Sequence, residues 1–363
     1  MGERRGRRGS RLLLGLPVVL GLAAAVAAAP SAAPTPDPLN PVLKQVHGPF
    51  RANLPGRDAS KDPSPAYSDA ERRQLVAEGK ALFVSTTAWG QQPSEGPLVR
   101  GQQLSCATCH VGPGFADGLT HLVGPVRERE LARRQTPTLF GVAGTAPYGW
   151  DGRNATLQEQ SRGAIVSPLE MHAAREPTKR ELDALAEFQK TITEPPAVAG
   201  KDFDPVRARR GEVLFRTPRP VDDASGEFPP GAMVACATCH AGPFFTDGKA
   251  HRGVVATGDP VFDPGQIAPD GTILGFHTPT LLGARFTAPF FHDGSGGDPT
   301  APSNFLGGGL GTDAPKGDIG ASGPRAARRA LLDAVLPFYN NVRFHFGFTP
   351  EEQKDLAEFV LSL

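Results

Sequence analysis

The chain has 363 residues, of which 39% are hydrophobic and 21% are charged, with 38 basic and 38 acidic side chains. This length allows two domains, each with its own core, and the hydrophobic content excludes a chain that is disordered throughout. The 43 Gly and 37 Pro residues favour long ordered loops over a compact helical bundle. No basic stripe is present, which argues against nucleic acid as a partner.

Residues 1–33 have the pattern of a secretory signal peptide. An apolar run, Leu12–Ala29, follows a group of arginines, which are Arg4, Arg5, Arg7, Arg8 and Arg11. The alternative is a membrane anchor, but the Pro-rich sequence from Pro30 onwards favours cleavage between Ala28 and Ala33. Removal of five Arg and one Glu from the 38 of each sign leaves 33 basic and 37 acidic residues. We therefore expect a mildly acidic periplasmic protein.

Residues 34–66 form a Pro-rich leader, after which the chain repeats itself. Four motifs occur twice in the same order: Gly79–Phe83 and Gly211–Phe215, Cys106–Pro113 and Cys236–Pro243, Thr136–Leu139 and Thr278–Leu281, Trp150–Gly152 and His292–Gly294. A repeated order of this kind indicates a duplicated domain. We expect an N-terminal domain over 67–198 and a C-terminal domain over 199–363, with the boundary near Pro195-Pro196.

Helix starts give the clearest secondary-structure signals. Three pairs have the spacing of a capping box, in which a hydroxyl and a carboxylate satisfy unpaired backbone N–H groups: Ser68 with Glu71, Thr178 with Glu181, and Thr349 with Glu352. Helices at 178–192 and 349–363 are predicted to close the two halves. Their apolar faces carry Leu182, Leu185 and Phe188, and Leu356, Phe359 and Val360. No alternating set of strands stands out, so the fold class is mainly α.

Both copies of the second motif have the form Cys-X-X-Cys-His, at Cys106, Cys109 and His110 and again at Cys236, Cys239 and His240. This spacing lets two thiols attach to one edge of a haem while the histidine ligates the iron. The alternatives are a zinc half-site, a redox-active pair or a disulfide. All four cysteines of the chain belong to the two motifs and follow an export signal. The sequence therefore predicts two covalently bound haems c, each enclosed by a cytochrome c-like domain.

The chain resembles the bacterial dihaem cytochrome c peroxidase and MauG family over nearly all of its mature sequence. The resemblance rests on Pro147–Arg153, Gln160, Ser167–Met171 and Thr287–Gly294, which match in order and internal spacing. It implies that the N-terminal haem reacts with hydrogen peroxide and that the C-terminal haem stores and relays electrons. It also implies a small cytochrome c or a copper protein as electron donor, and it allows a homodimer.

The resemblance assigns roles to three residues of the N-terminal half. Glu170 and Gln160 match the carboxylate and amide over the peroxide-reacting iron, where a carboxylate can move a proton between the two oxygens. The alternative for Glu170 is a surface turn. Trp150 matches an aromatic residue between the two haems, although Trp is more often simply part of a core.

Two further sites are less specific in the sequence. His121 and His251 both stand eleven residues after their haem histidine. His121 could gate the N-terminal iron, but the shared position favours a shared structural role, such as a hydrogen bond to a haem propionate. The family also binds calcium between its domains, at positions that match Gln135, Thr287 and Pro289. Gln135 stands where most relatives have Asn, and its amide oxygen could still serve as a ligand.

The residue expected as the sixth ligand of the C-terminal haem differs from that of the peroxidases, which use Met at this position. Apart from the initiator, the chain has only Met171, in the other half, and Met233, three residues before Cys236. The segment 334–340 is similar to the one from which MauG-type proteins supply a tyrosine, so we expect Tyr339 to ligate the iron. The alternatives are His345, water, or Tyr339 as a core aromatic.

The leading prediction is a dihaem oxidoreductase that uses hydrogen peroxide as its oxidant. A pure electron-transfer cytochrome is the alternative from another class, and Glu170 with Gln160 favours the enzyme, because a carrier needs no acid–base group over the iron. A MauG-like enzyme that oxidises residues of a partner protein would share every one of these motifs.

Overall fold

The structure is a computed structural model that describes residues 66–123, 132–196, 202–253, 266–267, 273–294, 296 and 323–363. The predicted signal peptide, nearly all of the Pro-rich leader and the predicted boundary between residues 198 and 199 lie outside the described residues. A search of the described helices finds none that is both long and apolar enough to cross a membrane.

The N-terminal half, residues 66–196, is built mainly from helices. Its elements in chain order are α1 (Asp69–Val84), α2 (Cys106–Cys109), β1 (Thr120–Val123), β2 (Ala132–Gln135), α3 (Leu157–Val166) and α4 (Lys179–Gln189), with 3-10 turns at Gly112–Gly114 and Val142–Gly144. The capping boxes predicted at Ser68 and Thr178 are both formed. A further box, between Thr156 and Glu159, fixes the start of α3.

The C-terminal half repeats this plan. Its elements are α5 (Pro205–Arg216), β3 (Arg219–Pro220), β4 (Met233–Val234), α6 (Cys236–Cys239), β5 (Ala250–His251), β6 (Gln266–Ile267), β7 (Ile273–His277), α7 (Pro324–Ala330), α8 (Leu336–Phe338) and α9 (Pro350–Leu361), with a 3-10 turn at Ala284–Phe286 and π-helical segments at Leu331–Val335 and Tyr339–Arg343. The predicted box between Thr349 and Glu352 caps α9. The mainly helical fold class is confirmed.

Each half is organised around one close pair of helices, α1 with α4 and α5 with α9. A Cβ atom at Gly79 would stand 1.9 Å from the carbonyl oxygen of Ala184, and a Cβ at Gly211 would stand 1.9 Å from that of Asp355. Any larger residue would force the helices apart. The repeated glycine of the first motif is thus explained by the approach of two helix backbones.

The repeated phenylalanine of the same motif places the helix pair beside the Cys-X-X-Cys-His turn. The ring of Phe83 lies 6.5 Å from the ring of His110, and the ring of Phe215 lies 6.4 Å from that of His240, at interplanar angles of 41° and 42°. Phe83 and Phe215 are 4% and 2% exposed, so both belong to the core. The two halves therefore hold their histidines in the same way.

Short antiparallel ladders add a small β component that was not predicted. β1 pairs with β2, β3 with β4, and β7 lies between β5 and β6. These strands have two to five residues, which is too short for an alternating pattern to be recognised in the sequence. The pair Thr120 and Gln135 in one half corresponds to Ala250 and His277 in the other.

The two halves meet through a reciprocal pair of backbone hydrogen bonds. The Gln135 N–H donates to the His292 carbonyl oxygen, and the His277 N–H donates to the Trp150 carbonyl oxygen, both at 2.8 Å. Gln135 and His277 both precede Thr-Pro-Thr-Leu, and Trp150 and His292 both precede Asp-Gly. The junction is therefore an approximate two-fold arrangement of equivalent segments.

Candidate functional site

The first Cys-X-X-Cys-His motif forms one helical turn. Ser105 N–H donates to Thr108 Oγ1 at 3.0 Å and closes the start of α2. The backbone N–H of His110 then donates to the Cys106 carbonyl oxygen at 2.9 Å. His110 Nδ1 donates to the Phe115 carbonyl oxygen at 3.0 Å, which leaves Nε2 as the ring nitrogen that can ligate a metal. Burial lowers the pKa of His110 and so favours the neutral ring that ligation requires.

The second motif has the same geometry. Ala235 N–H donates to Thr238 Oγ1 at 2.9 Å, and His240 Nδ1 donates to the Phe245 carbonyl oxygen at 3.0 Å. Burial again lowers the pKa of His240. The predicted attachment residues of both halves are thus brought together as the sequence requires.

These residues fit covalently attached haem. All four cysteines are free thiols and none is joined in a disulfide. In each motif the thiols stand three residues apart on one turn, and the Nδ1 atom of the histidine that follows is anchored to a backbone carbonyl oxygen. Zinc would need four ligands around one point. Within the described residues each Cys-X-X-Cys turn groups only its second cysteine with an Asp and a His in metal-binding geometry.

A tight turn after the cis Ala146–Pro147 peptide carries the Trp-Asp-Gly-Arg run. Tyr148 N–H donates to the Asn154 carbonyl oxygen at 2.7 Å, and Asn154 N–H returns a bond to the Tyr148 carbonyl oxygen at 3.2 Å. Inside this turn the fully buried Asp151 accepts from Arg153 Nη1 at 2.9 Å. The turn therefore fixes the guanidinium of Arg153 at the edge of the site.

Gln160 lies in the first turn of α3, next to this structure. Its Oε1 accepts a hydrogen bond from Asn154 Nδ2 at 2.6 Å. Gln160 Oε1 and Arg153 Nη1 both approach the Cβ position of Gly149, at 3.4 and 3.5 Å. Gly149 has φ +83°, a conformation that disfavours residues with a side chain, so the approach of both groups to this turn depends on that glycine.

Glu170 follows the end of α3, beside the N-terminal haem-attachment turn. Its backbone N–H donates to the Ser167 carbonyl oxygen at 3.1 Å, and the sulfur of the next residue, Met171, lies 3.9 Å from Cys106 Sγ. Burial raises the pKa of Glu170, although the charge of Arg153 and a hydrogen bond from Ser167 act in the opposite direction. The carboxyl is close enough to Cys106 to raise the pKa of that thiol. Glu170 is therefore a half-buried, desolvated acid at the attachment turn.

Trp150 lies at the junction of the halves. Its indole Nε1 donates to the Gln135 carbonyl oxygen at 2.8 Å, and its own carbonyl oxygen accepts from His277 N–H. The side chain is half-buried. These bonds join the Trp-Asp-Gly turn to β2 and to the end of β7.

The predicted calcium ligands are also near this junction. Gln135 is 3% exposed, and its Nε2 donates to the Thr287 carbonyl oxygen at 2.9 Å. Thr287 is separated from Pro289 by a single residue, and the Ala288–Pro289 peptide is cis. Calcium requires oxygen ligands. The Gln135 amide N–H faces the Thr287 oxygen, so this pair would bind the ion only with the amide turned over to present its oxygen.

His121 and His251 receive equivalent partners, as their shared position suggests. His121 Nε2 bonds to Asp117 at 2.7 Å, and His251 Nε2 bonds to Asp247 at 2.9 Å. Burial lowers the pKa of His121, but the hydrogen bonds to Asp117 and Cys109 and the charges of these two groups together outweigh it, and the pKa rises to about 10. An imidazolium held by a carboxylate is a poor iron ligand. The geometry therefore favours the structural role over gating by His121.

Tyr339 opens the second π-helical segment, a type of irregularity that is frequent at functional sites. Its phenol is close enough to both Cys236 and Cys239 to interact with them electrostatically, and desolvation raises its pKa to about 12. By contrast His345 is exposed and its Nδ1 donates to the Asp222 carbonyl oxygen at 3.0 Å. Between these two candidates, Tyr339 is the one beside the C-terminal attachment turn.

Sequence reasoning missed two residues of the N-terminal site. Asn154 and Ser167 contact Gln160 and Glu170, but neither residue type has a distinctive spacing. The one available signal was the repeat, because Asn154 corresponds to Gly296 in the second half and the position therefore differs between the two copies.

Residues 94–205 match the family model described as di-haem cytochrome c peroxidase. The resemblance to the di-haem cytochrome c peroxidase and MauG family is confirmed. The methylamine utilization protein MauG of Methylorubrum extorquens is 31% identical over 258 residues, which are 61% of this chain and 65% of that protein. The cytochrome c551 peroxidase of Pseudomonas aeruginosa is 30% identical over 227 residues, 54% of this chain and 64% of that protein. The chain thus covers less than two thirds of each relative.

Two solved structures are similar to this chain at low sequence identity. A hydrazine synthase chain from Kuenenia stuttgartiensis superimposes with a TM-score of 0.50 at 20% identity, covering 96% of this chain and 100% of that one. The diheme peroxidase BthA of Burkholderia thailandensis gives a TM-score of 0.45 at 21% identity, over 79% of this chain and 85% of that one. At 20% identity the likeness to the hydrazine synthase chain concerns the fold alone.

The match to the di-haem cytochrome c peroxidase model divides the predicted site residues into two groups. Those of the N-terminal half lie inside the matched region, namely Cys106, Cys109, His110, Gln135, Trp150, Gln160 and Glu170. Those of the C-terminal half lie outside it, namely Cys236, Cys239, His240, Thr287, Pro289 and Tyr339. Assignments in the second half therefore rest on the resemblance of its sequence motifs to the family, on the internal repeat and on the local geometry.

Proposed function

We propose that this protein is an exported dihaem c-type oxidoreductase that uses hydrogen peroxide as its oxidant. One haem would be held by residues 67–198 and the other by residues 199–363, in two cytochrome c-like domains. The names of the relatives, cytochrome c551 peroxidase and MauG, support an enzyme of this class. The periplasm is the proposed location, because the predicted haem-attachment motifs follow a predicted export signal in the same chain.

One observation carries the proposal: a desolvated carboxyl, Glu170, stands beside the N-terminal attachment turn. An electron carrier would have no use for it, since burial of an acid is costly unless the group performs a task. Both halves hold their haem histidine in the same way, and Glu170 lies beside the attachment turn of the N-terminal half.

The proposed roles follow from the positions of the side chains. A bound haem would supply the iron at which peroxide is reduced. Glu170 would accept a proton from one peroxide oxygen and return it to the other as water leaves. Burial raises the pKa of Glu170, which makes its carboxylate a stronger base for the first step.

The remaining residues of the N-terminal site would orient the peroxide and connect the two halves for electron transfer. Arg153, fixed by the buried Asp151, keeps a positive charge near Glu170 and moderates the rise of its pKa. Gln160 offers an amide to the peroxide, and Trp150 provides an aromatic ring between the halves through which electrons can pass. A small cytochrome c or a copper protein would deliver those electrons to the C-terminal half.

A MauG-like activity on a partner protein is the second candidate, and Tyr339 is the observation that favours it. A phenolate oxygen stabilises ferric iron more than a thioether does. A half-buried tyrosine beside Cys236 and Cys239 supports His240 and Tyr339 as axial ligands, with a lower potential than a haem held by His and Met. Calcium is not part of the proposal, because the Gln135 amide N–H faces Thr287.

Two experiments test the proposal. Denaturing gels stained for haem should colour the chain, and Cys106→Ala or Cys236→Ala should each remove about half of the haem. A peroxide titration followed by absorbance, on the reduced and on the fully oxidised protein with and without a donor cytochrome, then separates the activities. Catalytic oxidation of the donor cytochrome indicates a peroxidase. A long-lived oxidised form that does not react with the donor indicates MauG-like chemistry. No reaction with peroxide in either redox state would leave only the electron carrier.

A further inference from the structure

Asn154 contacts Gln160 through the shortest side-chain hydrogen bond of the N-terminal site. Asn154 Nδ2 donates to Gln160 Oε1 at 2.6 Å, and both residues are half-buried. Gln160 is the residue assigned above to the peroxide pocket, so the inference rests on the proposed function. The chemistry of a primary amide gives the contact its significance. One end of the group only accepts hydrogen bonds and the other end only donates them.

The backbone on both sides holds Asn154 in place. Its N–H and carbonyl oxygen are both bonded to Tyr148, at 3.2 and 2.7 Å. Two residues later Thr156 begins α3 with a capping box to Glu159, whose carboxylate also accepts from Ala155 N–H at 2.8 Å. The side chain of Asn154 therefore projects from a fixed turn toward the first turn of the helix.

Gln160 is in a position to receive this contact. Helical side chains lean toward the N-terminal end of their helix, so a residue in the first turn of α3 points back to the segment that precedes it. The Oε1 end of Gln160 is occupied by Asn154 and faces the turn that also carries Arg153 Nη1. The N–H2 end is the part of the amide that remains to meet a ligand.

The same turn in the C-terminal half has no such contact. Tyr148 and Asn154 form an isolated antiparallel bridge, and Phe290 and Gly296 form the equivalent bridge. Glycine has no side chain with which to hold an amide. The pairing is therefore particular to the half that carries Glu170, the proposed peroxide-reacting half.

We propose that Asn154 is a positioning residue that fixes the amide of Gln160 so that its N–H2 group faces ligands of the N-terminal haem iron. A small anion bound in the N-terminal pocket would accept hydrogen bonds, and an N–H donor would stabilise it. If the amide turned over, its carbonyl oxygen would face the anion and repel it. Asn154 thus selects the orientation that favours anionic ligands.

Fluoride binding to the oxidised, haem-loaded protein tests this proposal without any turnover. Gln160→Leu should raise the fluoride dissociation constant by roughly 2- to 10-fold, the loss of one hydrogen bond. Asn154→Asp should raise it by a similar factor, because an aspartate accepts and would draw the N–H2 end of Gln160 to itself. Asn154→Ala should have a smaller effect in the same direction, since the amide is then free to take either orientation.

Asn154→Asp and Asn154→Ala, each made in the Gln160→Leu background, are the controls. They account for the added charge and for general loosening of the turn. We expect them to change the dissociation constant by less than about 2-fold there, because additivity holds only for independent sites. Equal effects of the Asn154 variants in both backgrounds would overturn the positioning role. If Gln160→Leu itself leaves fluoride affinity unchanged, Gln160 does not face the iron, and that part of the proposed function falls together with the inference. Haem content and the absorbance spectrum confirm that each variant is folded.

Discussion

The indole Nε1 of Trp150 donates a 2.8 Å hydrogen bond to the backbone carbonyl oxygen of Gln135. Because Gln135 also donates its backbone N–H to His292, this bond ties the Trp-Asp-Gly turn to the contact between the halves. The ring is thus held in one orientation at the place where electrons would cross between the two haems. A buried indole N–H ordinarily has such a partner, so the bond explains the orientation of the ring and leaves its role in electron transfer to experiment.

Replacement of Trp150 by Phe should slow electron transfer between the two haems and leave ligand binding at the N-terminal iron nearly intact. The variant keeps an aromatic ring but loses the bond to Gln135, which should lower the free energy of unfolding by about 0.5–1.5 kcal/mol. Rapid mixing of the half-reduced protein with peroxide measures the transfer rate. If that rate equals the rate of the parent protein, Trp150 has only a structural role.

Glu170→Gln should reduce peroxide turnover by about 10²- to 10⁴-fold, the usual contribution of a general acid–base group, while both haems stay attached. The pH profile of the parent protein should report the same residue. As a base, Glu170 must be ionised, so the rate of peroxide reaction falls as pH falls through its pKa, which burial raises above the usual glutamate value. An unchanged rate in the Gln variant would mean that Glu170 is not the acid–base group and is only a residue of a turn.

Arg153→Gln should move that acid limb to higher pH. The positive charge of Arg153 lowers the pKa of Glu170, so its removal lets burial raise the pKa further. Arg153→Lys keeps the charge and is the matched control, with an acid limb close to that of the parent protein. A profile that shifts equally in both variants would point to the lost contact with Asp151 instead of to charge.

The features that could be predicted from the sequence are the ones that depend on neighbouring residues. The capping box of Ser68 with Glu71 and the turn that joins Cys106 to His110 are local, so their spacing is visible directly. The contacts of the junction are not local, since Gln135 and Thr287 are 152 residues apart. The resemblance placed both of these residues at one site, but it could not show that the amide of Gln135 donates to Thr287 where an ion was expected.

The bond from Gln135 predicts that the junction does not depend on calcium. We expect a chelator to leave the unfolding midpoint of the parent protein unchanged, and Gln135→Ala to lower the free energy of unfolding by about 0.5–1.5 kcal/mol. Gln135→Glu is the sharper variant, because two oxygens would then face each other across 2.9 Å. Added Ca²⁺ should stabilise that variant. A parent protein that loses stability in the chelator and regains it with Ca²⁺ would contradict this prediction.

Tyr339→Phe should change the low-spin spectrum of the C-terminal haem, because the phenol oxygen beside Cys236 and Cys239 is removed while the ring remains. His345→Ala is the control, since the exposed His345 is bonded to the Asp222 carbonyl oxygen and should leave the spectrum as it is. The midpoint potential of this haem should rise in the Phe variant. A spectrum that changes in His345→Ala and not in Tyr339→Phe would indicate that His345, and not Tyr339, is the ligand.

The last prediction concerns a second reciprocal contact between the halves. A Cβ atom at Gly144 would stand 2.1 Å from Phe244 Cε2, and one at Gly114 would stand 2.8 Å from Phe286 Cβ. Gly114 and Phe244 both follow their haem histidine by four residues, and Gly144 and Phe286 both follow the repeated Thr-Pro-Thr-Leu motif by five residues. Each contact thus pairs one glycine with one phenylalanine, with the roles exchanged between the halves. Size complementarity of this kind lets two equivalent loops pack without a clash.

Gly144→Ala should therefore destabilise the haem-loaded protein by about 1–3 kcal/mol, the usual cost of overpacking. The comparison is Gly163→Ala in α3, where no atom lies within 4 Å of the new methyl group, and this variant should be neutral or more stable by about 0.5–1 kcal/mol. Removal of the opposing ring isolates the cause. In a Phe244→Ala background, Gly144→Ala should cost less than about 0.5 kcal/mol, because the methyl group then has space. Urea unfolding of the four variants and the parent protein measures each difference. If Gly144→Ala is tolerated as well as Gly163→Ala, or costs the same with and without the Phe244 ring, the two loops do not meet as the structure describes.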